Sequence, residues 1–246
     1  MKGNIFIGTS GWNYRDSNHI FYPTGTKAAE YLSFYAKHFV TTEINTSFYH
    51  MPRATSVQGW IDKVPVDFKF CAKISKYLTH IKRLKEPEEP LERFFEVFEQ
   101  MKKQMGPVLV QLPPSLKFDY DLAEHFYKLL QAKYKGYSFA MEVRHDTWLG
   151  TDSLALMHRY NIILVISQSG VGFPYAEVIN NKNVYVRFHG PGKLYASSYT
   201  DEMLKEYAGK FLSWQKEGHD IWVFFNNDWL NGLKNAETLK RMVGAR

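Results

Sequence analysis

Three stretches of this chain end in side chains able to move protons or hold charge. In Phe139-Ala140-Met141-Glu142-Val143-Arg144-His145, extended backbone puts Ala140, Glu142 and Arg144 on one face and Phe139, Met141 and Val143 on the other. In Val184-Tyr185-Val186-Arg187-Phe188-His189 the polar face carries Tyr185, Arg187 and His189, and in Thr42-Glu43-Ile44-Asn45 it carries Glu43 and Asn45. Lys73, near the end of the run from Phe68 to Ile74, adds an amine. Burying a carboxylate or a guanidinium without a partner costs several kcal/mol, so such strand ends must open onto a polar pocket or a matched ion pair. If they open onto a pocket, Glu142, His189, His145 and Glu43 are the candidates for proton transfer, and Lys73, Arg144 and Arg187 are the candidates for holding an anion. If they are paired instead, Glu142 with Arg144 or Arg187 forms a structural lattice without chemistry.

Other chemistries fit the same residue types. Glu43 and Glu142 resemble the acid and base of glycoside hydrolysis, which demands a defined carboxylate separation. His80, His145 and His189 with Glu43, Glu142 and Asp228 offer ligands for a divalent metal, as in phosphate-ester hydrolases, although no HExxH-type spacing fixes their geometry. Trp12, Tyr49, Trp148, Phe188 and Trp229, near the same strand ends as the arginines, suit stacking on a nucleotide or on single-stranded nucleic acid. Gly190 and Gly192 supply backbone for a phosphate, whereas Gly8-Thr9-Ser10-Gly11 lacks the lysine of a P-loop and reads as a tight turn. These residues designate neither a cofactor nor an oligomeric state.

The elements that must position these groups alternate along the chain. Strands are expected at Asn4 to Thr9, Thr42 to Thr46, Phe68 to Ile74, Val108 to Leu112, Phe139 to His145, Ile162 to Ile166, Asn183 to His189 and Ile221 to Phe225. Between them run amphipathic helices, most clearly one with Leu91, Phe94, Phe95, Phe98, Met101 and Met105 on its apolar stripe. Asp121 with Glu124 offers a capping box for the helix through Leu130, and Asn235 a cap for a short last helix. About eight strand-helix units with no hairpin signal predict a single α/β domain over residues 1–246, folded as a closed (β/α)8 TIM barrel, whose usual size is roughly 250 residues. Such barrels place their sites at the carboxyl ends of the strands, where the polar residues above collect.

Composition narrows the class. The 246 residues are 45% hydrophobic and 16% aromatic, enough for one large core without disordered tracts. Cys71 is the one cysteine, so no internal disulfide forms. No run of about 18 apolar residues exists to span a membrane, the start does not read as a signal peptide, and a cytoplasmic protein is expected, with the sequon at Asn45-Thr46-Ser47 accidental. A net charge of +6 favours anionic partners, either a small molecule or a nucleic acid, yet the lysines and arginines are scattered.

The ordered motifs GTSGW at Gly8 to Trp12, FYP at Phe21 to Pro23, EINTSFY at Glu43 to Tyr49, TH at Thr79-His80, QLPP at Gln111 to Pro114, EVRH with Trp148, RFHG at Arg187 to Gly190 and FNND at Phe225 to Asp228 resemble the YecE-like family, domain of unknown function 72. The resemblance implies a TIM barrel and no particular reaction. It adds Asn45, Gln111, Tyr49, Asn226, Asp228, Trp12 and His80 as candidate substrate-binding residues around the charged core. The chain departs from the family pattern at Ser17, where a tryptophan is common, and at Gln168, where strand six often ends in aspartate. The expectation is an enzyme, a hydrolase or lyase, acting on a phosphorylated or otherwise anionic substrate at the strand ends. The alternatives are a non-catalytic nucleotide or nucleic-acid binding module, a glycosidase-like carboxylate pair and a metal-dependent phosphoesterase or nuclease.

Overall fold

The computed structural model describes residues 1–13, 21–170 and 172–245. Ser17 and the side chain of Trp229 lie outside the described residues. The strands are β1 (Ile5–Thr9), β2 (Thr41–Ile44), β3 (Lys69–Ala72), β4 (Val108–Gln111), β5 (Phe139–Glu142), β6 (Ile162–Gln168), β7 (Asn183–Phe188) and β8 (Asp220–Phe225). The helices are α1 (Tyr31–His38), α2 (Thr46–Tyr49), α3 (Ala54–Ile61), α4 (Glu88–Phe98), α5 (Tyr120–Lys133), α6 (Thr151–Arg159), α7 (Asp201–Lys216) and α8 (Trp229–Val243). No described helix is long and apolar enough to cross a membrane.

Every ladder is parallel, but the strands do not close into the expected barrel. Six of them form one curled, open sheet in the order β1-β8-β7-β6-β5-β4, and β2 pairs only with β3 in a separate two-stranded sheet. This corrects the expectation of a closed eight-stranded TIM barrel, and both seams have local causes. At the seam between β1 and β2 the Tyr35 hydroxyl is inserted: it accepts from the Thr9 backbone N–H at 2.9 Å and donates to the Thr41 carbonyl at 3.1 Å, two groups a continuous ladder would use. A Cβ on Gly8 would lie 2.2 Å from the Thr41 carbonyl oxygen, so only glycine permits this approach. At the other seam β3 meets the β4 segment at two isolated bridges, Phe70 with Met105 and Lys73 with Leu109. Between them sits Pro107, which has no N–H to offer a ladder.

The curl separates two apolar regions. Outside, the helices cover the sheet with residues such as Phe94, Phe98, Phe126 and Phe211, all buried. Inside, Cys71, Leu109, Ala140, Ile163, Val165, Tyr185, Trp222 and Phe224 pack together, with Phe6 stacked on Trp222 at 4.1 Å. Two residues further along the same strands the inward face turns polar. Leu109 gives way to Gln111, Ala140 to Glu142, Cys71 to Lys73, Val165 to Ser167 and Tyr185 to Arg187.

Some local expectations change. The α5 cap is Asp119, which accepts from Leu122 N–H at 2.9 Å, two residues before the expected capping box. The last helix begins at Asp228 rather than at Asn235. Asn235 is buried within α8, where its amide bridges the backbone of Tyr199 and the side chain of Asn227.

The inserted hydroxyl makes a prediction. Tyr35→Phe should cost roughly 2 to 6 kcal/mol, because it orphans a buried N–H and a buried carbonyl at about 1 to 3 kcal/mol each. Phe95→Ala, which empties a purely apolar position, should cost roughly 3 to 5 kcal/mol. Urea denaturation midpoints measure both, and an unchanged midpoint for Tyr35→Phe would mean that the seam is hydrated.

Candidate functional site

Where the inner face turns polar, β2 delivers Glu43, β5 delivers Glu142 and β7 delivers Arg187 between them. Arg187 Nε donates to Glu43 Oε2 at 3.0 Å and Nη2 to Glu43 Oε1 at 2.6 Å, a bidentate grip. Its Nη1 donates to Glu142 Oε2 at 2.6 Å. Glu43 also accepts from Ser10 Oγ at 2.8 Å, Asn45 Nδ2 at 3.0 Å and Tyr185 OH at 2.8 Å. Glu142 Oε1 accepts from Arg144 Nη2 at 2.7 Å, His189 Nε2 at 2.8 Å and Ser167 Oγ at 2.9 Å. None of the Glu43, Glu142, Arg144 or Arg187 side chains is more than 1% exposed.

The electrostatics follow from this packing. Burial pushes both carboxyls up, but Arg187 beside Glu43, and Arg144 with Arg187 beside Glu142, hold them below the usual carboxylate range, Glu142 well below. Burial brings His189 down from 6.5 to about 4, with the two guanidiniums adding to the effect against the pull of Glu142. The imidazole is therefore neutral near pH 7. Its Nε2–H donates to Glu142, leaving Nδ1 to accept from Asn226 Nδ2 at 3.3 Å.

Two cations are less fully paired. Lys73 Nζ donates to the neutral Gln111 Oε1 at 2.7 Å and lies 4.0 Å from the centre of the Phe48 ring. Burial, with Arg187 next in weight, lowers its amine to about 7. Arg144 spends Nη2 on Glu142, while Nε and Nη1 are buried without a hydrogen-bond partner among the described residues. Phe173 covers its guanidinium face at 3.4 Å, and Tyr195 stands edge-on to His189 at 5.5 Å.

The remaining candidates lie around the margin of this lattice. His145 Nδ1 accepts from Thr147 N–H at 3.2 Å and caps the turn Asp146–Leu149. Asp228 caps α8 through the N–H groups of Leu230 and Asn231. His80 stands edge-on to the Phe48 ring at 5.1 Å and is lowered to about 4, by burial first and then by Lys73. Tyr49 is 69% exposed at the rim. Trp12 packs edge-on against Trp60 at 5.4 Å and lines a separate cavity of about 370 Å³ with Ser10 and Asn45. Among the described residues no three His, Cys, Asp or Glu side chains come together as a metal-ligand set.

Sequence reasoning overlooked Ser10, Ser167, Phe173 and Tyr195. Ser167 shares the two-residue period of Ile163 and Val165 and was legible, but Gln168 drew attention as the polar strand end. Gln168 instead accepts from the Tyr199 hydroxyl. Phe173 and Tyr195 lie in loops, where no periodicity marks a side chain's direction.

Fold and site together define a parallel α/β protein with a buried carboxylate-guanidinium lattice at the carboxyl ends of its strands. The family model described as "Protein of unknown function DUF72" matches residues 6–246, and the chain belongs to that family. It is 27% identical over 112 residues to the UPF0759 protein YecE of Escherichia coli K12, a match covering 45% of this chain and 40% of that relative. The chain thus matches less than half the length of this curated relative. A DUF72 family protein from Thermotoga maritima MSB8 superposes with a TM-score of 0.86 at 27% identity, covering 98% of this chain and 99% of that one. Another, from Enterococcus faecalis V583, has a TM-score of 0.82 at 19% identity over 98% and 96% of the two chains, a likeness of fold alone.

Arg187→Ala should cost about 3 to 5 kcal/mol without any ligand, because two buried carboxylates lose their shared cation, and Glu142→Gln in the same chain should restore part of it. Melting the two single variants and the double variant measures this coupling, and strictly additive losses would refute it. His189 sets a pH window. Its pKa is lowered on folding, so the unfolded chain binds the extra proton between 6.5 and about 4, and stability falls as pH drops through that range. Denaturation at pH 7, 5.5 and 4.5 should show a decline that is shallower in His189→Asn.

Proposed function

We propose that this chain is an enzyme acting on a small anionic substrate at the carboxyl ends of its strands, with Arg144 receiving the anion and Lys73 moving a proton. The observation that carries this reading is the pair of buried nitrogens on Arg144 without a partner among the described residues, since a buried guanidinium N–H left unfilled is costly and an oxyanion satisfies it. Arg187 is a poorer receptor, because each of its three nitrogens already donates to a carboxylate.

The same geometry favours lyase chemistry over hydrolysis. Both carboxylates that would activate a water are saturated with donors and held ionised, so neither serves as the protonated acid a glycosidase pair needs. An amine titrating near 7 beside two guanidiniums suits abstraction of a proton next to a carboxylate or phosphate. The nucleic-acid reading loses its footing because the arginines that motivated it are buried and cannot track a phosphate backbone.

Inorganic phosphate tests the receptor. At about 100 times the dissociation constant it should stabilise the protein by about 2.7 kcal/mol, and Arg144→Met should abolish the effect. An equal phosphate-induced rise in melting temperature in that variant, or none in the wild type, would overturn the assignment.

A further inference from the structure

Lys73 has an unusual setting for a lysine. Its side chain is buried with the residue 7% exposed, and its one hydrogen-bond acceptor is a neutral amide rather than a carboxylate. The backbone around it is fixed: Lys73 N–H donates to the Ile44 carbonyl at 3.0 Å, and the Lys73 carbonyl accepts from Ser47 Oγ at 2.7 Å. The Phe48 ring shields Nζ on one side and touches His80 on its own edge, so amine and imidazole flank a single apolar surface. Burial and the guanidiniums of Arg187 and Arg144 oppose the ammonium charge and outweigh the pull of Glu142 and Glu43, neither of which accepts a hydrogen bond from Nζ. A lysine kept for ion pairing would have a carboxylate within reach. Both carboxylates of the lattice are instead filled by other donors.

Resting on the anion-receptor reading, and giving Lys73 a nucleophilic role in place of the proton transfer, we propose that Lys73 forms an imine with a small carbonyl compound that bears a carboxylate or phosphate, the anionic group being held by Arg144. The neutral Nζ lone pair attacks the carbonyl carbon. A C–N bond forms, and the carbonyl π pair moves to oxygen, which takes a proton. Nitrogen then loses a proton, the hydroxyl leaves as water with a second proton, and the C=N bond closes as an iminium, for a net change of amine plus carbonyl plus one proton to iminium plus water; loss of the remaining N–H proton gives the neutral imine. The resulting iminium withdraws electrons from the adjacent carbon, the kind of activation a lyase on an anionic oxo compound requires. The neutral imidazole of His80 is the nearby group able to carry the protons exchanged during dehydration.

Glyoxylate with sodium cyanoborohydride is the direct probe, since reduction converts the imine to a stable secondary amine that peptide mass mapping locates. At pH 7, where ordinary lysines are almost wholly protonated, Lys73 should be labelled at least about tenfold faster than the surface lysines. Arg144→Met should lose most of that preference with glyoxylate but keep it with acetaldehyde, which carries no charge. Should Arg144→Met fail to fold, competition by inorganic phosphate against glyoxylate in the wild type reads the same dependence. Labelling spread evenly over the lysines overturns the proposal, as does Lys73 labelling by glyoxylate that neither the variant nor phosphate diminishes. If phosphate stabilises the protein and Lys73 stays unlabelled, the imine alone fails. If phosphate has no effect and glyoxylate labels nothing selectively, the receptor fails with it.

Discussion

Two fully buried carboxylates, Glu43 and Glu142, share one guanidinium, and the arrangement of the strand ends follows from the need to keep Arg187 between them. Each carboxylate is worth burying only because its oxygens are filled: Ser10, Asn45 and Tyr185 complete Glu43, while Arg144, Ser167 and His189 complete Glu142. These six donors come from five strands or their ends, β1, β2, β5, β6 and β7, so the polar layer ties the sheets together as the apolar layer beneath it does. The same saturation leaves Glu43 and Glu142 fully engaged as acceptors. Among the described residues two nitrogens of Arg144 have no hydrogen-bond partner, and the amine of Lys73 meets only a neutral amide.

The division of labour has a thermodynamic sign. Lys73 is lowered from 10.5 to about 7, so the unfolded chain holds its proton at pH values where the folded chain has released it. Folding is therefore penalised by this amine at and below pH 7, and the penalty fades as pH rises towards 10.5.

Much of this was legible from residue order. The two-residue period placed Glu142 with Arg144, and Tyr185 with Arg187 and His189, on shared faces, because extended backbone leaves a side chain no other choice. The paired alternative, a structural lattice, describes Arg187 better than the ligand role does, and pairing of that kind depends on distances between strands far apart in sequence. His145 and Asp228 were misplaced for a local reason: both sit just past a strand, where the chain turns and their side chains cap the next helical turn instead of facing inward. Closure of the barrel was misjudged because strand count and spacing do not register a tyrosine hydroxyl from α1 or a proline at a ladder position. Phe173 and Tyr195, which cover Arg144 and His189, lie on loops that carry no repeating pattern.

The seams have a mechanical meaning. Glu43 and Lys73 ride on the two-stranded sheet, whereas Arg187, Glu142 and Arg144 ride on the six-stranded one. No continuous ladder sets the span between amine and guanidinium. That span is set by the two isolated backbone bridges, one of them Lys73 with Leu109, and by a clasp of side chains, chiefly the grip of Arg187 on Glu43, with the Tyr35 hydroxyl as a spacer at the other margin. Amine and guanidinium thus belong to different sheets, so a change at the clasp or at the spacer alters their separation while leaving each sheet's own ladders intact.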